Sequence, residues 1–146
     1  MTELDHAKSF RDLLVYQKAK KVSCEIFEIS KSFPKEETYS LTDQIRRASR
    51  SIGAQIAEAW GKGRYEKHFV SKLTDADAEQ METQHWLSEA CDCHYVDPKR
   101  AKELTEDLLQ IGRMLNSMMD KAHLFCRQSH FVVREDAKEY MVETDD

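Results

Sequence analysis

The sequence is poor in the residues that interrupt regular secondary structure. Its 146 residues include only four glycines and two prolines, whereas Ala, Leu, Glu, Lys, Gln and Met are abundant. This composition favours long helices over the short strands and frequent turns of an all-β protein. A chain of this length forms about one domain, and its 40% hydrophobic content is enough to bury a core.

The sequence also lacks an apolar run that approaches about 18 residues, the length of a membrane-spanning helix. The first ten residues, MTELDHAKSF, lack the apolar segment of a signal peptide. We therefore expect a cytoplasmic protein with no membrane partner. Four scattered cysteines are too few for a secreted disulfide framework, so free thiols are expected.

No sequence motif of a common enzyme class is present. Gly61-Lys62-Gly63 lacks the rest of a Walker phosphate-binding loop, and neither a Rossmann fingerprint nor a nucleophile with its base is recognisable. We therefore expect a non-enzymatic protein with no catalytic residues and no cofactor.

Two short patterns contain residue types that bind metals. Glu82 and His85 form one Glu-x-x-His step, whereas carboxylate-bridged di-iron bundles use two such steps and carboxylates from two further helices. The run CDCH at residues 91–94 would need a fourth zinc ligand. Cys126 is the obvious candidate, but it should lie about a helix length away. We therefore interpret both patterns as ordinary side chains and expect no metal site.

Hydrophobic periodicity predicts four helices. Apolar residues recur at spacings of three and four, which places them on one face of an α-helix. The segments with this pattern are residues 12–32, 41–61, 65–91 and 97–122. Because the connections are short, we expect an all-α, antiparallel up-down-up-down four-helix bundle. Asp97 should cap the fourth helix, with Pro98 in its first turn.

The expected bundle comprises residues 1–126, followed by a short C-terminal extension at residues 127–146. This extension has six acidic and three basic side chains and only scattered apolar residues. We expect it to be partly mobile.

The second helix, LTDQIRRASRSIGAQIAEAWG, combines an apolar stripe with small residues. Gly53 costs about 1 kcal/mol relative to Ala in a helix, but small side chains allow a second helix to approach closely. Buried polar residues are expected on the third helix, where Gln80 and Thr83 occupy its core stripe. An unpaired buried polar group costs about 1–3 kcal/mol, so we expect a polar layer with Gln44 and Gln55 of the second helix.

Charge is distributed unevenly along the chain, whose net charge is −5. Residues 41–72 include seven basic and three acidic side chains, whereas residues 73–97 include seven acidic and no basic ones. The negative total argues against indiscriminate binding of nucleic acid, but the first segment is locally basic.

The basic segment contains the candidate nucleic-acid-binding residues. Arg46 and Arg50 share one helix face, and Arg47 lies about 100° further round. In a symmetric oligomer this cationic edge would repeat around an axis and could hold phosphates. Salt bridges with acids of the third helix and acid-base pairing between subunits remain alternatives. The candidates are Arg46, Arg47, Arg50, Lys62, Arg64 and Lys67.

Four segments of the chain resemble a known family. They are FRDLLVYQKA, QIRRASRSIGAQIAEAW, RYEKHFVSKLTDADAEQMETQHWL and IGRMLNSM. They are similar to four-helix-bundle proteins first noticed as products of intervening sequences in bacterial 23S rRNA genes. The resemblance extends over residues 10–126. This chain has Gln55 where the family often has Asn, and Ala59 where it often has Gly.

The resemblance implies a bundle that is frequently assembled as a ring of five and has no established enzymatic activity. A similar bundle is the accessory factor of diversity-generating retroelements, in which a positively charged pentamer engages a reverse transcriptase and nucleic acid. We therefore expect a homo-oligomer whose partner is RNA, a ribonucleoprotein or a nucleic-acid-processing protein. The alternative is a protein–protein adaptor whose arginines serve subunit contacts.

Overall fold

The computed structural model describes residues 7–126, which form four α-helices. The helices are α1 (Leu14–Ser30), α2 (Leu41–Gly61), α3 (Glu66–Asp92) and α4 (Pro98–Asp120). Within this range no β-strand is present, and the all-α prediction is confirmed. The predicted helix ends differ from the observed ends by at most two residues. The predicted C-terminal extension, residues 127–146, lies outside the described residues.

Hydrogen bonds to side chains mark the starts of two helices. The Asp97 carboxylate accepts a hydrogen bond from the Lys99 backbone nitrogen at 3.1 Å, which confirms the predicted cap of α4. At the start of α2, Glu37 Oε1 accepts hydrogen bonds from the Leu41 backbone nitrogen at 3.3 Å and from Ser40 Oγ at 2.7 Å. Both carboxylates satisfy donors that would otherwise lack a partner in the first helical turn.

The four helices close into an antiparallel ring. Each helix packs against its neighbours in sequence, and α1 also packs against α4. Lys18 Nζ on α1 lies 3.3 Å from Asp107 Oδ1 on α4, and Glu25 Oε2 lies 3.6 Å from Arg100 Nη2. The residue numbers increase along α1 in the direction in which they decrease along α4, so these two helices are antiparallel. The predicted up-down-up-down bundle is confirmed.

The core is built from the apolar stripes that the sequence predicts. Ile45, Ile52 and Ile56 of α2 are at most 1% exposed, and the predicted stripes of α3 and α4 are buried throughout. Full burial of one such side chain contributes about 1.5–3 kcal/mol. Ile29 at the end of α1 continues the spacing of three and four residues, but it is only partly buried.

Gln80 and Thr83 of α3 are buried as predicted, but their partners are not on α2. Gln80 Nε2 donates to Asp77 Oδ1 at 2.9 Å, and Gln80 Oε1 accepts from Gln84 Nε2 at 2.7 Å. Thr83 Oγ1 donates to the Glu79 carbonyl at 2.8 Å. The predicted polar layer between α2 and α3 is therefore wrong, because partners three and four residues away on the same helix are closer.

Two residues of α4 extend this polar network. Asn116 Nδ2 donates to the Gly112 carbonyl at 2.8 Å and lies 3.4 Å from Asp77 Oδ2. A Cβ atom at position 112 would lie 2.8 Å from Gln80 Nε2. Because Gly112 has no side chain, the buried amide group of Gln80 can occupy the space next to it.

Gly53 on α2 faces an aromatic side chain of α1. A Cβ atom at position 53 would lie 3.4 Å from Tyr16 Cε1, an ordinary van der Waals distance. The Tyr16 ring in turn packs edge-on against Phe10, with 4.9 Å between the ring centroids. The Tyr16 ring therefore lies against Gly53, and the space would also accept a methyl group.

Tyr95 joins the α1–α2 connection to the α3–α4 connection. Its hydroxyl donates to Glu37 Oε2 at 3.0 Å, and its ring centroid lies 5.5 Å from that of Phe33. This hydrogen bond, with a smaller contribution from burial, raises the pKa of Tyr95 to about 12. Hydrogen bonds from Ser40, from Tyr95 and from the Leu41 backbone lower the pKa of Glu37. One end of the bundle is therefore held by a protonated phenol and an ionised carboxylate.

Alanine substitutions at two helical glycines should have opposite effects on stability. Gly53→Ala is expected to raise the free energy of unfolding by about 0.5–1 kcal/mol, because Ala is the better helix former and its methyl group fits. Gly112→Ala is expected to lower it by about 1 kcal/mol, because the methyl group displaces the Gln80 amide from its hydrogen bonds. Urea unfolding of both variants tests this pair, and equal stabilisation by both would contradict it.

The hydrogen bond between Tyr95 and Glu37 should make stability depend on alkaline pH. The pKa of Tyr95 is raised from 10.0 to about 12, so its contribution is complete below pH 10 and is lost as the pH rises towards 12. Tyr95→Phe should therefore lose less stability than the wild type over this interval. Urea midpoints measured across it provide the check. Tyr39→Phe is the matched control, since Tyr39 is 94% exposed and should behave as the wild type.

Candidate nucleic-acid interface

The six predicted nucleic-acid-binding residues form two separate groups. One group, Arg46, Arg47 and Arg50, lies in the first half of α2, and the other, Lys62, Arg64 and Lys67, lies at the α2–α3 turn and the start of α3. Arg50 and Lys62 are twelve residues apart, which corresponds to roughly 18 Å along a helix. The six residues therefore do not form one continuous patch within a single chain.

Phe27 of α1 is the centre of the first group. Arg46 Cζ lies 4.6 Å and Arg50 Cζ 5.2 Å from the centroid of its ring, and Lys31 Nζ lies 5.0 Å from it. Cations are attracted to the face of an aromatic ring by about 0.5–1 kcal/mol at exposed sites. We call Phe27, Lys31, Arg46 and Arg50 the Phe27 cluster.

A buried serine holds Arg46 in this position. Arg46 Nε donates to Ser30 Oγ at 2.7 Å, and Ser30 Oγ donates to the Phe27 carbonyl at 3.0 Å. Ser30 is only 2% exposed. The guanidinium group is thus directed towards α1 by a hydrogen bond and by the Phe27 ring.

The alternative of salt bridges between the arginines and acids of α3 is not observed. Within residues 7–126, neither Arg46 nor Arg50 forms a salt bridge with a carboxylate. Their side chains lie on the α1 side of α2, away from α3. Of the cations around Phe27, Lys31 is paired, with Glu28 Oε2 at 3.2 Å. The cluster therefore retains uncompensated positive charge.

Arg47 does not belong to the Phe27 cluster. Its Nε donates to Asp43 Oδ2 at 3.0 Å, four residues earlier on the same helix, and its side chain is 74% exposed. The predicted edge of three arginines is therefore divided into two arginines directed towards α1 and one arginine paired on the outer surface.

The second group is exposed, and two aromatic rings that were not among the predicted site residues, Tyr65 and His68, lie beside it. Tyr65 is 43% exposed, and its ring centroid lies 5.4 Å from that of His68, at an interplanar angle of 70°. Tyr65, Glu66, Lys67 and His68 line an open depression of about 480 Å³. The alternation of aromatic and basic residues in KGRYEKH is the signal that could have identified these rings. We call Lys62, Arg64, Tyr65, Lys67 and His68 the turn cluster.

The tight turn after α2 positions this cluster. Gly63 donates a hydrogen bond to the Trp60 carbonyl at 3.1 Å. A Cβ atom at position 63 would lie 3.1 Å from the same carbonyl oxygen and 3.6 Å from that of Phe125. Gly63 is therefore buried in the turn, and its neighbours Lys62 and Arg64 are exposed. Among the described residues, the three basic side chains of the turn cluster have no salt-bridge partner.

Acidic residues of α3 form a separate surface. Lys72 Nζ lies 2.9 Å from Glu58 Oε1 of α2 and 3.5 Å from Asp75 Oδ2. The pKa of Glu79 is raised, first by burial and then by the negative charges of Glu82 and Asp75. Negative charge is thus concentrated on this helix.

The metal-ligand patterns do not converge in the described part of the chain. No group of three or more His, Cys, Asp or Glu side chains there could hold a metal ion. His85 is exposed, and its ring centroid lies 4.7 Å from that of Trp86. Cys93 is exposed, whereas Cys126 is buried, and this burial raises the pKa of the Cys126 thiol to about 11.

None of the described helices is long and apolar enough to cross a membrane.

The helix order, the core and the two basic clusters define the class of protein as an antiparallel four-helix bundle with positive charge on α2 and at the α2–α3 turn. The chain belongs to the 23S rRNA-intervening sequence protein family, which its sequence matches over residues 11–117. The resemblance inferred from the four sequence segments is therefore confirmed.

Solved structures also match this chain. One is a protein of unknown function from the S23 ribosomal protein family of Bacteroides thetaiotaomicron VPI-5482. It is 27% identical, with a TM-score of 0.66, and the match covers 73% of this chain and 96% of the other. No curated protein matches the chain.

Arg46 and Arg50 should differ in their contribution to stability. Arg46→Gln is expected to lower the free energy of unfolding by about 1 kcal/mol, because Ser30 Oγ loses a buried charged donor. Arg50→Gln should change it by less than about 0.5 kcal/mol, as for other exposed positions. Urea unfolding measures both, with the exposed Arg113→Gln on α4 as the control. A decrease for Arg50→Gln as large as that for Arg46→Gln would show that Arg50 is held as firmly as Arg46.

Proposed function

We propose that this protein is a non-enzymatic, homo-oligomeric bundle of the bacterial cytoplasm that binds RNA, alone or within a ribonucleoprotein. The binding surface comprises the Phe27 cluster, the basic residues of the turn cluster and the exposed Arg47. The observation that carries the proposal is the positive charge of Arg46, Arg50 and the α2–α3 turn, which no carboxylate among the described residues neutralises. Membership of a family named for 23S rRNA supports an rRNA-related role.

The charge distribution of the chain favours a confined binding surface. A chain of net charge −5 is repelled by phosphates over most of its surface, and the acidic stretch of α3 adds to this repulsion. Unpaired Arg and Lys side chains bind phosphates by releasing condensed counterions. Binding should therefore occur at the two basic clusters and should weaken steeply with salt.

The geometry of the two clusters suits an extended polyanion. Arg46 is held by Ser30 and Phe27 before any ligand arrives, so less side-chain entropy is lost when it binds a phosphate. The turn cluster lies roughly 18 Å further along α2, a distance that one strand of several nucleotides can cover. A single RNA segment can therefore contact both clusters.

The alternative function is a protein–protein adaptor, and the acidic surface of α3 favours it. Burial, followed by the charges of Glu82 and Asp75, raises the pKa of Glu79, so negative charge on α3 is incompletely compensated. A basic partner, or the arginines of another copy of the chain, would relieve this repulsion. In this alternative, Arg46 and Arg50 serve subunit contacts.

RNA binding should depend on both basic clusters. Two multiple variants test this: Arg46→Ala/Arg50→Ala and Lys62→Ala/Arg64→Ala/Lys67→Ala. Fluorescence anisotropy measures their affinity for a structured 23S rRNA fragment at low salt. Each variant is expected to weaken binding about 10-fold or more, which corresponds to about 1.4 kcal/mol. The slope of log K against log salt should become shallower by about 0.7–0.9 for each phosphate that the variant no longer neutralises.

The matched control removes three positive charges elsewhere. Lys99→Ala/Lys102→Ala/Arg113→Ala changes exposed residues of α4 and should leave affinity within about two- to threefold of the wild type. Absence of wild-type binding at low salt, or an equal weakening in this control, would refute the proposal. Light scattering on the arginine variant separates the two functions, since loss of the oligomer would favour the adaptor.

A further inference from the structure

The turn cluster contains an exposed aromatic ring, that of Tyr65, among its cations. Phosphate binding by lysine and arginine does not require such a ring. Tyr65 is 43% exposed. Its backbone is nevertheless anchored, because its nitrogen donates to the Lys62 carbonyl at 3.3 Å and its carbonyl accepts from the Phe69 nitrogen at 3.0 Å. The ring is thus presented from a defined position and not from a loose loop.

A second ring orients the Tyr65 side chain. The rings of Tyr65 and His68 meet edge to face, with centroids 5.4 Å apart and an interplanar angle of 70°. This arrangement is favoured by the opposite partial charges of a ring edge and a ring face. It leaves a large part of the tyrosine accessible.

The surroundings of Tyr65 combine space with positive charge. The depression lined by Tyr65, Glu66, Lys67 and His68 has a volume of about 480 Å³. Lys62 and Arg64 immediately precede the tyrosine and are exposed. A planar ring beside unpaired cations matches the two parts of a nucleotide, its base and its phosphate.

The Phe27 cluster does not have this combination. Three cations already lie within 5.2 Å of the Phe27 ring centroid, so its faces are occupied by side chains of the protein itself. That cluster can offer charge to a ligand but not a free aromatic surface. The two basic clusters therefore have different ligand preferences.

We propose that the turn cluster binds an unpaired nucleotide of RNA, with its base stacked on Tyr65 and the adjoining phosphates held by Lys62, Arg64 and Lys67. This inference rests on the proposed function and names its substrate class as single-stranded or looped RNA. In a continuous duplex the bases are stacked on one another and cannot reach a protein ring, whereas unpaired bases can be splayed out onto one.

The test compares one RNA sequence of about 12 nucleotides as a single strand and as a blunt duplex. Tyr65→Ala is expected to weaken binding of the single strand roughly 10- to 100-fold, with little effect on the duplex. Tyr65→Phe and Tyr65→Trp should retain single-strand binding, because both keep a ring. Tyr39→Ala is the matched control, since Tyr39 is 94% exposed and lies in the α1–α2 connection.

A fluorescent base gives a direct measure of stacking. With 2-aminopurine in the single strand, the wild type should quench the emission on binding, and Tyr65→Ala should not do so at saturating protein. Circular dichroism checks that each variant is folded. If Tyr65→Ala does not fold, Tyr65→Leu replaces it, as a side chain of comparable apolar size without a ring.

The outcomes separate this inference from the proposed function. If the variant Lys62→Ala/Arg64→Ala/Lys67→Ala binds RNA as the wild type does, the turn cluster is not an RNA site and the proposed surface fails with it. If that variant no longer binds while Tyr65→Ala or Tyr65→Leu still does, the stacking inference alone is overturned. Equal weakening on single strand and duplex would also overturn it.

Discussion

Burial of the apolar stripe of α2 is the constraint on which the rest of the structure depends. Ile45, Ile52 and Ile56 are almost completely excluded from solvent, and each contributes about 1.5–3 kcal/mol to folding. Their burial fixes the rotation of α2 about its own axis. The helix then packs against both α1 and α3. Because side chains leave a helix at fixed angles, this rotation directs Arg46 and Arg50 towards Phe27 and leaves Arg47 on the outer surface.

The buried polar groups show how local geometry competes with helix packing. The Gln80 amide bonds to residues three and four positions away on α3, and the absence of a side chain at Gly112 on α4 gives it room. Gln55, which stands where the family often has Asn, leaves its buried Oε1 without a hydrogen-bond partner among the described residues. An unpaired buried amide oxygen costs about 1–3 kcal/mol. The hydrogen-bonded network around Gln80 extends from α3 to α4, whereas the contact between α2 and α3 includes the salt bridge of Lys72 with Glu58.

The two basic clusters differ in how their cations are held. In the Phe27 cluster, a buried serine and an aromatic ring restrain Arg46, so its position does not depend on a ligand. The basic side chains of the turn cluster are exposed, and a tight turn at Gly63 determines only their direction. Restrained cations favour a defined phosphate geometry, whereas mobile ones adapt to several. The protein therefore combines a restrained cationic site between α1 and α2 with an exposed one at the α2–α3 turn.

The sequence by itself determined the four helices, the core stripes and the Asp97 cap, because periodicity and capping depend on residues within one or two turns of each other. It also located the positive charge in residues 41–72. The contacts of Arg46 and Arg50 with Phe27, the hydrogen bond of Arg46 to Ser30 and that of Tyr95 to Glu37 were decided only by the tertiary structure. Each depends on helix rotation or on how a turn folds. These follow from the packing of the whole core, and no local sequence pattern specifies them.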